Sequence, residues 1–238
     1  MRRISDLACE LLRRRPKETC GVESQTKTKN GTKTTITKIL TATAANRIGK
    51  PQGTYINIQT KEQTAAADIT KVLAAALREQ ITGKQKILVV GLGNDKFVAD
   101  SLGPKALTFI DTGANLMTFE PNVGGITGIN SVDAIRAISK LASPTVVIVI
   151  DSLVAGNANR IGNNYQIADS GITPGSGIGR ANKRIDSQFL GVPVIAIGIP
   201  VCTILTPKTG KIMHVVPKDI DAIIARCSYI IASAINAL

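Results

Sequence analysis

From Lys86 onward, short apolar runs alternate with helix-length segments, and two of those runs, residues 146–150 and 194–197, are apolar at every position. A strand with one wet face alternates apolar and polar side chains, so a strand without that alternation must be covered on both faces. The pattern predicts strands over 87–91, 115–119, 145–151 and 192–199, with helices over 101–111, 130–141 and 217–236. Strands separated by helices need crossover connections. The expected fold is therefore α/β, a mostly parallel sheet flanked by helices.

The segment before Lys86 reads differently. Ile4, Leu7, Leu11 and Leu12 follow the helical period and predict a helix over 4–14, stopped by Pro16. Two polar, β-rich stretches follow, 21–29 and 32–41, joined by the hairpin signal Asn30-Gly31. With a third strand over 53–59 they are expected to form a small antiparallel β appendage, residues 19–59, within a single domain spanning 1–238. A helix over 61–80 then leads into the main body.

With 238 residues, 44% of them apolar, the chain can bury one sizeable core. No apolar run reaches the roughly 18 residues of a membrane span, and residues 1–15 lack the cleavage site of a secretory signal. A cytoplasmic protein without membrane contact is expected. Four cysteines, Cys9, Cys20, Cys202 and Cys227, show no paired spacing and are read as free thiols. The single histidine, His214, falls in a strand expected over 211–216 and is read as structural, which leaves histidine-based catalysis and zinc sites little room. The formal charge of +12 is uneven: residues 1–86 hold 17 Lys and Arg against 7 Asp and Glu, residues 87–238 only 12 against 10. A basic N-terminal third can draw anionic partners, nucleic acid or acidic protein, but aromatic residues for base stacking make up only 3% of the chain.

Several motifs carry less than they suggest. Gly91-Leu92-Gly93 opens a dinucleotide-binding turn, but Lys96 stands where the third glycine belongs. Residues 174–180 are glycine-rich without the Lys-Ser/Thr ending of a phosphate loop, and are read as a loop beside a substrate cleft. Asp111-Thr112-Gly113 and Asp169-Ser170-Gly171 mimic the signature of all-β aspartic proteases, which an α/β chain cannot share except by chance. Asp100 and Asp151 are the stronger candidates, one in the loop after a strand and one at the end of another. Residues at those positions gather at one rim of a parallel sheet. Paired carboxylates can divide a hydrolysis, the neutral one acting as acid and the ionised one as base. Each could instead cap the segment that follows it.

The ordered set of motifs resembles the germination proteases of endospore-forming bacteria. It comprises residues 87–94 (ILVVGLGN), Asp100 to Pro104 (DSLGP), 124–129 (GGITGI), 150–153 (IDSL), 168–179 (ADSGITPGSGIG) and 193–200 (PVIAIGIP), with further matches at 4–8, 53–56 and 216–221. The resemblance covers nearly the whole chain. It implies an endopeptidase that degrades small acid-soluble spore proteins during germination, in the spore core, with Asp100 and Asp151 as catalytic residues and no cofactor. Gly93, Asn94, Asp169, Gly175, Ser176 and Gly177 would shape the cleft, and a homo-oligomer is expected. Proximity to DNA through the basic third would suit such substrates. A related core occurs in hydrogenase maturation endopeptidases, so the nearest alternative is a nickel-dependent peptidase of that type; the other is a non-catalytic nucleic-acid-binding protein. Family members are usually longer, and the chain looks abbreviated at 110–122 and 200–216. The family is made as a zymogen, and here only Met1-Arg2-Arg3 precede the first match, so control by self-cleavage is expected to be absent or altered.

Overall fold

The computed structural model describes residues 5–13, 20–29, 31–83, 85–176, 183–205 and 213–238. Among these residues nine strands form one sheet. In chain order they are β1 (Val22–Lys29), β2 (Thr32–Ile39), β3 (Gly53–Gln59), β4 (Ile87–Gly91), β5 (Leu116–Phe119), β6 (Val146–Ala155), β7 (Asn164–Ala168), β8 (Val194–Leu205) and β9 (Met213–Val215). The helices are α1 (Ala8–Arg13), α2 (Ala42–Ile48), α3 (Ala66–Gln80), α4 (Leu102–Leu107), α5 (Gly124–Thr127), α6 (Ser131–Ala142), α7 (Ser187–Leu190) and α8 (Ile220–Asn236).

The spatial order β1-β2-β3-β7-β8-β6-β4-β5, with β9 beside β8, corrects the expected sheet. Only β4–β5, β4–β6 and β6–β8 pair in parallel; the other five pairings are antiparallel. The sheet is mixed, and the expectation of a mostly parallel one fails because β7 was not foreseen. Its polar Asn164 and Gln166 alternate with the core residues Tyr165 and Ile167, and all four are buried. That alternation is the mark of a strand, but a run of five residues is short enough to pass for a loop. Through β7 the first three strands continue the main sheet, where the sequence suggested a separate layer.

The doubly covered strands are as expected. In β6, Val146, Ile148 and Ile150 face a core beneath α3, α4 and α8, while Val147 and Val149 face a second cluster with Val132 and Ile135 of α6. At about 1.5–3 kcal/mol for each large aliphatic side chain removed from water, these five residues anchor the sheet. Helix α2, absent from the sequence reading, had legible signals: Thr41 caps it by accepting from the Ala44 N–H (3.2 Å), and Gly49 ends it at φ 76°. Asn30 of the hairpin motif lies outside the described residues; Gly31 has φ 74° and the flanking strands pair in register from Val22–Ile39 to Lys29–Thr32. None of the four cysteines forms a disulfide; Cys20 is exposed and the others are buried. Among the described residues no helix is long and apolar enough to cross a membrane.

Candidate active site

β4 and β6 lie side by side in parallel, with Gly91 opposite Ile150. After β4 the chain turns sharply at Gly93, whose φ of +123° and packing leave no room for a side chain: a Cβ there would lie 1.8 Å from the Asp100 carbonyl oxygen. The Asn94 N–H donates to that same carbonyl (3.0 Å), and a 3-10 turn over Val98–Asp100 brings Asp100 back over the sheet. Gly93 and Asn94 thus act on Asp100 from beneath its turn. Asp151 is held differently. It lies within β6 opposite Gly198 of β8, and its Oδ1 accepts the Ser152 N–H at 2.9 Å. β6 runs on to Ala155 beyond the predicted end of the strand, after a register shift between Leu153 and Val154.

Both carboxylates line a cleft of ≈ 450 Å³. Burial pushes the Asp100 carboxyl up to about 6, against the pull of the Asn94 N–H. Asp151 is raised well above the usual carboxylate range, first by burial, then by the negative charges of Asp100 and Asp6, with the Ser152 N–H pulling the other way. The charge of Asp100 thus bears on Asp151 and makes it the harder of the two to ionise. Carboxyls coupled in this way titrate as a pair.

A third carboxylate in the cleft, Asp6, carried no assignment in the sequence reading. It is buried; its Oδ2 accepts the Val154 N–H (3.0 Å), its Oδ1 accepts the Ser176 hydroxyl (3.2 Å), and its own N–H donates to the Val154 carbonyl (2.9 Å). The segment from Ser5 to Leu12 is thereby fastened along β6, helped by the Gly156 N–H donating to Glu10 (2.7 Å) and by the buried Glu10–Arg160 ion pair (3.0 Å). A lone aspartate before a helix reads as a cap, so only the fold could show where Asp6 points.

Of the expected cleft residues, Gly175 and Ser176 line the cavity. Gly177 lies outside the described residues. Asp169 is not among the lining residues: it is exposed, and its Oδ1 accepts the Thr54 N–H (2.7 Å), tying the end of β7 to β3. The cleft also gathers Lys50, Arg184, Cys202 and His214, which no local pattern places together. His214 sits on β9, opposite Ile204. Burial, with the charge of Asp6, pushes the Cys202 thiol up to about 11. Ser152 contributes a buried hydroxyl without a partner among the described residues. Among the described residues no three His, Cys, Asp or Glu side chains cluster closely enough to hold a metal ion.

Comparison with known proteins bears on this site directly. The germination protease family model matches residues 8–206, which include both aspartates. The chain belongs to the germination protease family. It is 35% identical over 206 residues to a germination protease of Caldanaerobacter subterraneus subsp. tengcongensis, covering 77% of this chain and 64% of that protein. With the germination protease of Priestia megaterium the identity is 35% over 205 residues, covering 76% of this chain and 55% of the relative. A Clostridium acetobutylicum germination protease aligns at 29% identity over 286 positions, 91% of this chain and 87% of the relative. That alignment is longer than the chain's 238 residues, so the relative carries insertions. Among solved structures, a NiFe hydrogenase maturation protease from Thermococcus kodakarensis superposes with a TM-score of 0.47 at 17% identity, over 67% of this chain and 97% of its own.

Proposed function

We propose that the chain is an endopeptidase of spore germination in which Asp100 and Asp151 hydrolyse peptide bonds of small acid-soluble spore proteins. The observation that carries this reading is the pair of carboxylates in one cleft, Asp100 from the turn after β4 and Asp151 from the adjacent parallel strand β6, with Asp100 and Asp6 adding to the burial that holds the proton on Asp151. Membership of the germination protease family supports the reaction class.

In this mechanism the ionised member of the pair takes a proton from a water molecule as its oxygen attacks the scissile carbonyl carbon. The protonated member hydrogen-bonds the carbonyl oxygen while it becomes an oxyanion. A proton then passes to the amide nitrogen, the C–N bond breaks, and the products are a carboxylate and an amine. Lys27, Lys29, Lys33 and Lys38 on the β1–β2 ribbon give acidic or DNA-associated substrates an approach, a part of the reading that salt-insensitive cleavage would remove.

The test is cleavage of a purified small acid-soluble spore protein by the wild type, Asp100→Asn and Asp151→Asn, each with and without chelator. Discrete cleavage by the wild type that survives chelator and disappears in both variants is expected. Cleavage that persists in either folded variant would overturn the dyad, and cleavage lost only to chelator would point to metal chemistry.

A further inference from the structure

Two buried glycines of the main body stand where the backbone conformation suits any residue. Gly91 ends β4 and Gly103 lies inside α4, and neither has the positive φ that favours glycine. Alanine is the better helix former, and glycine weakens a strand, so conformation does not account for either. Space does. A Cβ on Gly103 would stand 2.3 Å from the Leu92 carbonyl oxygen and 2.5 Å from the Leu92 nitrogen; one on Gly91 would stand 2.6 Å from the carbonyl carbon and oxygen of Gly103. These are backbone atoms, which cannot rotate aside as the end of a side chain can. Helix and strand meet backbone to backbone, an approach that residues without a Cβ allow.

The contact lies on the path between the two aspartates. On the strand side, the Leu92 N–H donates to the Ile150 carbonyl (2.9 Å), and the next residue of β6 is Asp151. On the helix side, Asp100 comes just before α4: the carbonyl of Ser101, its neighbour, accepts the Lys105 N–H (2.9 Å) in the first turn of that helix. One hydrogen bond and one glycine contact therefore connect the backbone at Asp151 to the backbone at Asp100. α4 is also tied to α8, since Leu102 and Ala106 are buried in the core they share and the Ser228 hydroxyl donates to the Leu102 carbonyl (3.2 Å). The turn ahead of α4 is the less restrained part, exposed over residues 95–98. A push on Gly103 is relieved there, where Asp100 sits.

We propose that Gly103, with Gly91 against it, is a positioning residue: its bare Cα, pressed on the backbone of Leu92, sets how far the Asp100 carboxyl stands from that of Asp151. The inference rests on the proposed peptidase reading and supplies the spacing of its catalytic pair. Opening a 2.3 Å contact to an ordinary one takes a movement of about 1 Å. A misplacement of about 1 Å in catalytic geometry costs on the order of 10²-fold in rate. The charge of Asp100 also bears on Asp151, an effect that weakens with separation, so the same spacing governs the protonation of the pair.

The test compares the full chain with Gly103→Ala, Gly91→Ala and Ser228→Ala. Either glycine variant should cleave a small acid-soluble spore protein with kcat lowered about 10²-fold and KM within about twofold of wild type. In a crystal structure of the variant, the Asp100 and Asp151 carboxyls should stand about 1 Å further apart than in the wild type. Ser228→Ala loosens the same helix from α8 without touching the glycine contact, so its Tm should fall while kcat stays within about twofold. If one glycine variant does not fold, the other carries the comparison. An unchanged kcat in the glycine variants, a lost kcat with the carboxyls unmoved, an equal loss in Ser228→Ala, or failure of both glycine variants to fold beside a folded Ser228→Ala would each overturn the inference. Because the separation is measured without turnover, carboxyls that part in a chain whose wild type cleaves nothing would sink the peptidase reading and leave the spacing contact standing.

Discussion

β6 and β1 belong to one sheet, yet residues 146–150 of β6 are buried without exception, whereas β1 is exposed from Glu23 to Lys29 and half-buried only at Val22. β6 lies between two helical layers, with β4 and β8 on either side. β1 is an edge strand with one neighbour, dressed in Thr, Lys, Ser and Gln. The aspartates lie on the covered side of that contrast. Removal from water raises the proton affinity of both carboxyls, and for Asp151 the charges of Asp100 and Asp6 add to it. The β1 edge of the ribbon leaves its side chains in water.

The largest effect that would break the comparison is catalytic. Asp100→Asn or Asp151→Asn should lower the rate of proteolysis by about 10³-fold or more while the far-ultraviolet circular dichroism is unchanged. Next comes packing. Ile148→Ala should cost about 2–5 kcal/mol in urea unfolding, because Ile148 is fully buried between strands that cannot close over the cavity. A loss under 1 kcal/mol would mean that the covered strands are less tightly packed than described.

Acid should switch the site off. The base must be ionised, and burial sets Asp100 at about 6. kcat/KM should therefore fall about tenfold per pH unit below that value, measured at fixed ionic strength. A flat profile down to pH 4.5 would contradict the desolvated pair. The same shifts tie stability to pH in the direction of acid. A carboxyl whose folded pKa is raised contributes stability that is fully present below its unfolded value, near 4, and is lost as pH rises through the folded value. Asp151→Asn should accordingly raise Tm relative to wild type at pH 8, with the gain vanishing near pH 4. The smallest effect belongs to the ribbon: Thr28→Ala, on the exposed edge, should change stability by about 0.5 kcal/mol or less.

How much of this was legible in the sequence follows burial and range. The four strands of the main body and helices α3, α6 and α8 were readable because periodicity records which faces are covered. The ends were less so: β6 and β8 run beyond their predicted limits, since Asp151 and Pro200 interrupt an apolar run without interrupting the backbone pairing. Asp100 and Asp151 could be named because a strand's end is a local feature that puts a side chain at the rim. Their company could not. Asp6, Lys50, Arg184, Cys202 and His214 come from five separate segments, and no local pattern says that these meet.

By itself, the sequence determined the doubly covered strands, the α/β class, the two candidate aspartates and the family, all of which depend on residue type and near-neighbour spacing. The tertiary structure alone decided that the sheet is mixed, that the N-terminal segment runs along β6, and that Asp6 reaches the aspartate pair. The reason is the same in each case. β7 and the segment at Asp6 are stabilised by partners far away in the chain, and a polar residue satisfied by a distant partner looks, in sequence, like any residue in a loop.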